Sequence, residues 1–158
     1  MTVPFKKNRF ANRGKKAEDA VQKFLTEWAQ QTNREFSRLV DTKAAGRTIK
    51  AAPADFEFFT LPHENAKPVF GLLEVKETEH EYRLARDKVP QLARLRKREN
   101  CGGLCLVLVL HSTLGKWRVV RARKLATFGD KGSWDLTNFP LFDSPREALA
   151  NFDVEVFE

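Results

Sequence analysis

The chain has 158 residues, 42% of them hydrophobic and 31% charged, with a formal net charge of +7 and a pI near 9.6. That length and apolar content suit one compact domain, and no stretch approaches the roughly 20 apolar residues needed to span a bilayer. The excess of cations implies long-range attraction to a polyanion, so nucleic acid is the leading partner, and the polar, basic start of the chain is unlike a secretory signal.

Residues 1–16 carry Lys6, Lys7, Arg9, Arg13, Lys15 and Lys16 and no acid, and read as a basic arm ahead of a single domain over 17–158. From Ala17, apolar residues recur at Ala20, Val21, Phe24, Leu25 and Trp28, three and four apart, which predicts a helix. A strand is expected over Glu35 to Val40, followed by a polar loop with Lys43, Arg47 and Lys50. Ala54 to Leu61 and Val69 to Thr78 read as neighbouring strands joined through Pro62 to Pro68, with Phe56, Phe58 and Phe59 in the sheet core.

Val89, Leu92 and Leu95 predict a helix over Arg86 to Arg98, stopped by Gly102-Gly103. Leu104 to Leu110 reads as a strand buried on both faces and Trp117 to Val120 as the strand that returns beside it. A short helix is expected after Ser144-Pro145 and a last strand near Val154 to Phe157. Cys101 and Cys105 read as reduced, partly buried thiols, because two cysteines without suitably spaced histidines make no structural zinc site. This order of elements is an α/β layer with a mixed sheet.

The chemistry concentrates in Ala54-Asp55-Phe56 and Leu73-Glu74-Val75-Lys76. Alternation along a strand puts Glu74 and Lys76 on one face and Leu73 and Val75 on the other, with Asp55 on the adjacent strand. Three ionisable groups on an otherwise apolar sheet are costly unless paired or bound to a metal. Hard carboxylate oxygens suit a hard divalent cation such as Mg²⁺, which activates water and neutralises charge on phosphorus, while an adjacent ammonium stabilises the developing anion.

On these residues the chain resembles the PD-(D/E)xK nuclease superfamily, and within it the RecU-type Holliday-junction resolvases and their archaeal relatives. Asn12-Arg13-Gly14 followed by Glu18 is similar to the family's opening motif, Ala54-Asp55-Phe56 and Glu74-Val75-Lys76-Glu77-Thr78 to its catalytic strands, Gln91 to its helix-leading glutamine, and Gly102-Gly103-Leu104-Cys105-Leu106-Val107 to the glycine turn and buried strand beyond. The resemblance spans about residues 12–112. It implies a restriction-endonuclease-like fold, a mixed central sheet flanked by helices. It also implies catalytic residues Glu18, Asp55, Glu74, Lys76 and Gln91, metal ligands Asp55, Glu74 and Glu18 for Mg²⁺ with Mn²⁺ as substitute, and a homodimer cutting opposed strands of a four-way DNA junction. The expected setting is the cytoplasm of a bacterial, archaeal or phage-infected cell. The loop Ala45 to Ala54 departs from the family's hydroxyl-rich approach to the aspartate, which bears on substrate geometry more than on chemistry.

The cations expected to hold DNA are Arg13, Lys15, Lys16, Arg47, Lys50, Arg83, Arg86, Lys88, Arg94 and Arg98, because phosphate contacts position a strand without reading its sequence. His63, His80 and His111 are dispersed and receive no catalytic role, and Trp28, Trp117 and Trp134 read as packing residues. Two other functions fit the same residues: a related nuclease acting on flaps, ends or particular sequences, and a DNA-binding protein without catalysis.

Overall fold

The computed structural model describes residues 9–40, 52–125 and 132–158, with side chains in the first span from Gly14 onward. A long helix α1 (Arg9–Trp28) leads into strands β1 (Arg34–Arg38), β2 (Phe56–Thr60) and β3 (Val69–Thr78). A short strand β4 (Arg83–Ala85) and one 3₁₀ turn precede helix α2 (Leu92–Asn100) and strands β5 (Leu104–His111) and β6 (Lys116–Arg121). Strand β7 (Ser133–Asp135) and helices α3 (Pro145–Phe152) and α4 (Val154–Phe157) complete the chain.

The main sheet has five strands in the order β1-β2-β3-β5-β6, with β3 and β5 parallel and the other neighbours antiparallel. Strands β4 and β7 form a separate two-stranded sheet. The expected mixed sheet flanked by helices is thus present, and its faces are covered differently. Leu73, Val75, Leu106 and Leu108 pack with Val21, Phe24 and Leu25 of α1 and with Leu149 and Phe157. Leu72, Cys105, Val107 and Val109, the alternate positions, pack with Leu92 and Leu95 of α2 and with Leu84 and Trp134. The run Leu104 to Leu110 is apolar throughout because both faces of β5 meet helices or the small sheet.

Several elements differ from expectation. Helix α1 spans Arg9–Trp28 of the described residues, so Arg13, Lys15 and Lys16 belong to the helix rather than to an arm ending at residue 16. Their cationic character masked a continuation that side-chain charge does not oppose. The helix expected from Arg86 starts at Leu92, and Arg86–Lys88 forms the 3₁₀ turn instead. Pro90 disfavours helical backbone in the residue before it, and Val89 sits at φ −119° and ψ 67°. The expected last strand is the helix α4. Asp153 caps it by accepting from the amides of Glu155 and Val156, a cue stronger than an alternation of four residues. The helix expected after Ser144-Pro145 is α3, and Ser144 caps it, accepting from the Glu147 amide at 3.1 Å.

Phe59 is 47% exposed and stacks on Phe70 rather than entering the core, since it faces opposite to the buried Phe58 on a strand near the sheet edge. Cys101 is exposed and only Cys105 is buried, and both are free thiols. All three tryptophans are buried. Gly71 allows a close approach within the sheet: a Cβ there would lie 2.1 Å from the Phe58 ring and 2.6 Å from the Leu104 carbonyl oxygen.

Candidate active site

The site forms where β2 leaves β3. Strand β3 pairs with β2 only along its first half, ending at Phe56↔Leu73, and with β5 from Gly71 to Thr78. The Asp55 amide still donates to the Leu73 carbonyl at 3.2 Å, and the chain then diverges. The next free amide of β3, that of Val75, donates instead to Asp55 Oδ2 at 2.7 Å. A carboxylate therefore takes the place of a strand carbonyl, and the divergence opens a cleft of about 580 Å³. Glu18, Arg38, Asp55, Glu74 and Gln91 line it.

Glu74 follows Leu73 into the opening and is 2% exposed. Its Oε1 accepts from Lys76 Nζ at 2.9 Å, two residues along the same face, while its Oε2 is buried without a hydrogen-bond partner. Glu18 reaches the cleft from α1 and is held by Arg38 Nη2 at 2.8 Å. Arg38 also donates to Gln22 Oε1, so β1 and α1 are tied beside the site. Gln91, at the N-cap position of α2 but making no side-chain cap bond, also lines the cleft, with its Oε1 buried and unpartnered.

Burial dominates the electrostatics. It raises Glu74 to about 7, helped by the Asp55 charge and opposed by Lys76. Asp55 is raised by burial against the Val75 amide and the charges of Lys76 and Arg38, and Glu18 by burial and by Asp55 against Arg38. Three carboxyls thus share a region with less positive charge than their ionised forms require. A divalent cation fits that deficit and the orphaned Glu74 oxygen. Among the described residues, however, no three acidic, histidine or cysteine side chains are grouped closely enough to hold a metal ion. The two carboxylates Asp55 and Glu74 are the pair in place, a donor set that suits Mg²⁺, which keeps several waters. Glu18 is engaged by Arg38.

The expected site residues therefore do not all meet. Asp55, Glu74, Lys76, Glu18 and Gln91 converge on the divergence of β2 and β3. Arg83 and Lys88 line a second, neighbouring cleft that also contains Lys76, and Lys15 and Lys16 are exposed on α1. Arg86 lies over the Trp134 ring, and Arg94 and Arg98 line neither cleft. Arg47 and Lys50 lie outside the described residues, as does the side chain of Arg13. Arg38 escaped the sequence reading. A lone arginine closing a short strand carries no pattern, and only the packing of β1 against α1 gives it a partner.

No known family profile matches the chain, and no curated protein is significantly similar to it. In three dimensions the chain is similar to Archaeoglobus fulgidus Hjc, a Holliday junction resolvase from an archaeal hyperthermophile. The match has a TM-score of 0.51 at 18% identity and covers 80% of this chain and 92% of that one. The chain therefore has a fold of the kind seen in that resolvase, a five-stranded mixed sheet flanked by helices.

Proposed function

We propose that this chain is a metal-dependent, structure-selective DNA endonuclease that resolves four-way junctions by paired phosphodiester hydrolysis. The observation that carries the reading is the joint burial of Asp55 and Glu74, with Lys76 bonded to Glu74, at the point where β2 leaves β3. The likeness to a resolvase fold and the net charge of +7 support it. Asp55 and Glu74 would hold Mg²⁺, or Mn²⁺ in its place, with Glu18 contributing after release from Arg38. When bound, the ion acidifies a water and offsets charge on the phosphate.

The chain's own groups do the rest. The Val75 amide fixes the rotamer of Asp55, so one carboxylate is set before substrate arrives. Lys76 holds Glu74 from one side and presents an ammonium where negative charge grows on phosphorus, in a partly dehydrated site that strengthens the attraction. The unpartnered Gln91 Oε1 can accept a hydrogen bond from the attacking water. Arg83 and Lys88 beside Lys76, with Lys15 and Lys16 on α1, offer phosphate contacts along the strand. Two cuts on opposed strands require two such sites, hence a homodimer.

The test is incubation with Mg²⁺ and a labelled four-way junction beside linear duplex and flap substrates. Paired symmetric nicks confined to the junction are expected from a dimer. Equal cutting of linear duplex would refute junction selectivity and leave a general nuclease. Binding with no cleavage under any divalent ion would leave a DNA-binding protein.

A further inference from the structure

Beyond the proposed catalytic residues, the end of β3 and its connection to β4 are densely braced. The carbonyls from Glu77 to Tyr82 are each taken by a donor distant in sequence, three of them from the end of β5 and the turn after it. The Lys88 ammonium bonds Glu77 O at 3.0 Å and the Ser112 amide bonds Thr78 O at 2.9 Å. The Thr113 hydroxyl bonds Glu79 O at 2.9 Å and His111 Nδ1 bonds His80 O at 2.6 Å. Arg118 Nη1 bonds Glu81 O at 2.7 Å, and the Leu136 amide bonds Tyr82 O at 2.7 Å.

Two of these donors are buried polar side chains. His111 is fully buried and Arg118 is 5% exposed. Arg118 also donates to His111 Nε2 at 2.9 Å and, through Nε, to Phe139 O at 2.9 Å. The His111 ring is therefore neutral, donating through Nδ1 and accepting through Nε2. Burying a guanidinium is costly unless all of its bonds are made. Here that cost is spent on fixing the backbone of a surface loop.

What the brace presents is an aromatic and cationic cluster. His80 Nδ1 accepts from the amides of Tyr82 and Arg83 at 3.3 and 3.1 Å, which locks the ring to its own turn. Tyr82, 37% exposed, stands edge to face with His80 at 4.6 Å between ring centroids, and the Arg83 guanidinium lies 5.4 Å over its ring. His80 and Arg83 line the cleft that contains Lys76, together with Lys88, Glu77 and Glu79. The cleft's charges are of both signs, so aromatic faces rather than net attraction distinguish this end of it.

We propose that the His80-Tyr82-Arg83 cluster is a preformed stacking site for an unpaired nucleobase of the DNA strand whose phosphate enters the Asp55-Glu74-Lys76 site. The inference rests on the nucleic-acid reading above and adds the part of the substrate recognised. Aromatic rings and guanidinium planes both stack on exposed base faces, with little regard to base identity. A rigid mount avoids the ordering cost that a mobile loop incurs on binding. Unpaired bases occur at bulges and flaps, and at a four-way junction once pairs at the branch point open, but not within intact duplex, so such a site favours these over linear DNA.

The experiment uses the full chain in EDTA, with a DNA duplex bearing a short unpaired bulge of 5-iododeoxyuridine and a fully paired duplex of the same length. Long-wavelength irradiation should cross-link the bulged DNA to the tryptic peptide 77–83 and give no such adduct with the paired DNA. Tyr82→Ala and Tyr82→Leu should weaken binding of the bulged DNA by about 5- to 150-fold and of the paired DNA by less than about two-fold, with Tyr82→Phe close to the parent chain. Cross-links confined to other peptides overturn the proposal. So does an equal loss on both DNAs, or none on either. Because no cleavage is measured, the two readings fail separately. A cross-link in a chain that cuts no DNA refutes the nuclease alone, and junction cleavage without the cross-link refutes the stacking site alone.

Discussion

Glu74→Gln should make the metal-free protein more stable at pH 8 while abolishing cleavage. Burial lifts the Glu74 carboxyl from 4.5 to about 7, with one oxygen unpartnered and the other bonded to Lys76. The unfolded chain releases this proton near 4.5 and the folded chain only near 7, so stability is full below the lower value. It falls as pH rises between the two and is level above. The interval corresponds to about 3 kcal/mol at about 1.4 kcal/mol per pH unit.

Glutamine keeps the shape and an acceptor for Lys76 but never ionises, so the gain should approach about 3 kcal/mol at pH 8 and vanish near pH 4.5. For a chain of this size that is about 6 to 12 °C in melting temperature. Thermal and urea denaturation in EDTA, at several pH values between 4.5 and 8, measures it. Added Mg²⁺ should raise the melting temperature of the parent chain at pH 8 and leave Glu74→Gln unmoved, because the ion binds the ionised carboxylate. A variant equal to or less stable than the parent chain at pH 8 would show that the charge at position 74 is already compensated and that the site has no cation deficit.

Asp55→Ala leaves the Val75 amide without its acceptor at the fork of β2 and β3, so denaturation should show a loss of about 1 to 3 kcal/mol together with loss of cleavage, while DNA binding persists in a filter or anisotropy assay. Gly71→Ala puts a methyl group into the Phe58 ring and the Leu104 carbonyl, and a loss of at least about 3 kcal/mol or failure to fold is expected on denaturant titration. Arg38→Ala breaks a half-exposed ion pair with Glu18, which should change stability by less than about 1 kcal/mol; a larger loss in chemical denaturation would mean that Arg38 is structural rather than a holder of Glu18.

Much of the molecule was legible in local patterns. The apolar alternation of Val69 to Thr78 and the unbroken run from Leu104 define β3 and β5, and Ser144-Pro145 places the start of α3, because each depends on residues within one element. The pairing of Asp55 with Glu74 and Lys76 was also visible, since a short connection makes β2 and β3 neighbours and alternation sets Glu74 and Lys76 on one side. Other features depend on contacts distant in sequence. The Asp55 carboxylate replaces a strand carbonyl only because β2 peels away from β3, and Arg38 claims Glu18 only because β1 lies against α1. His111 and Arg118 carried no motif, yet they are buried partners of a loop some 30 residues earlier in the chain. Hydrophobic periodicity reports which face of an element is covered. Which partner satisfies a buried polar group is decided by distance in space, and that is set when the layers pack.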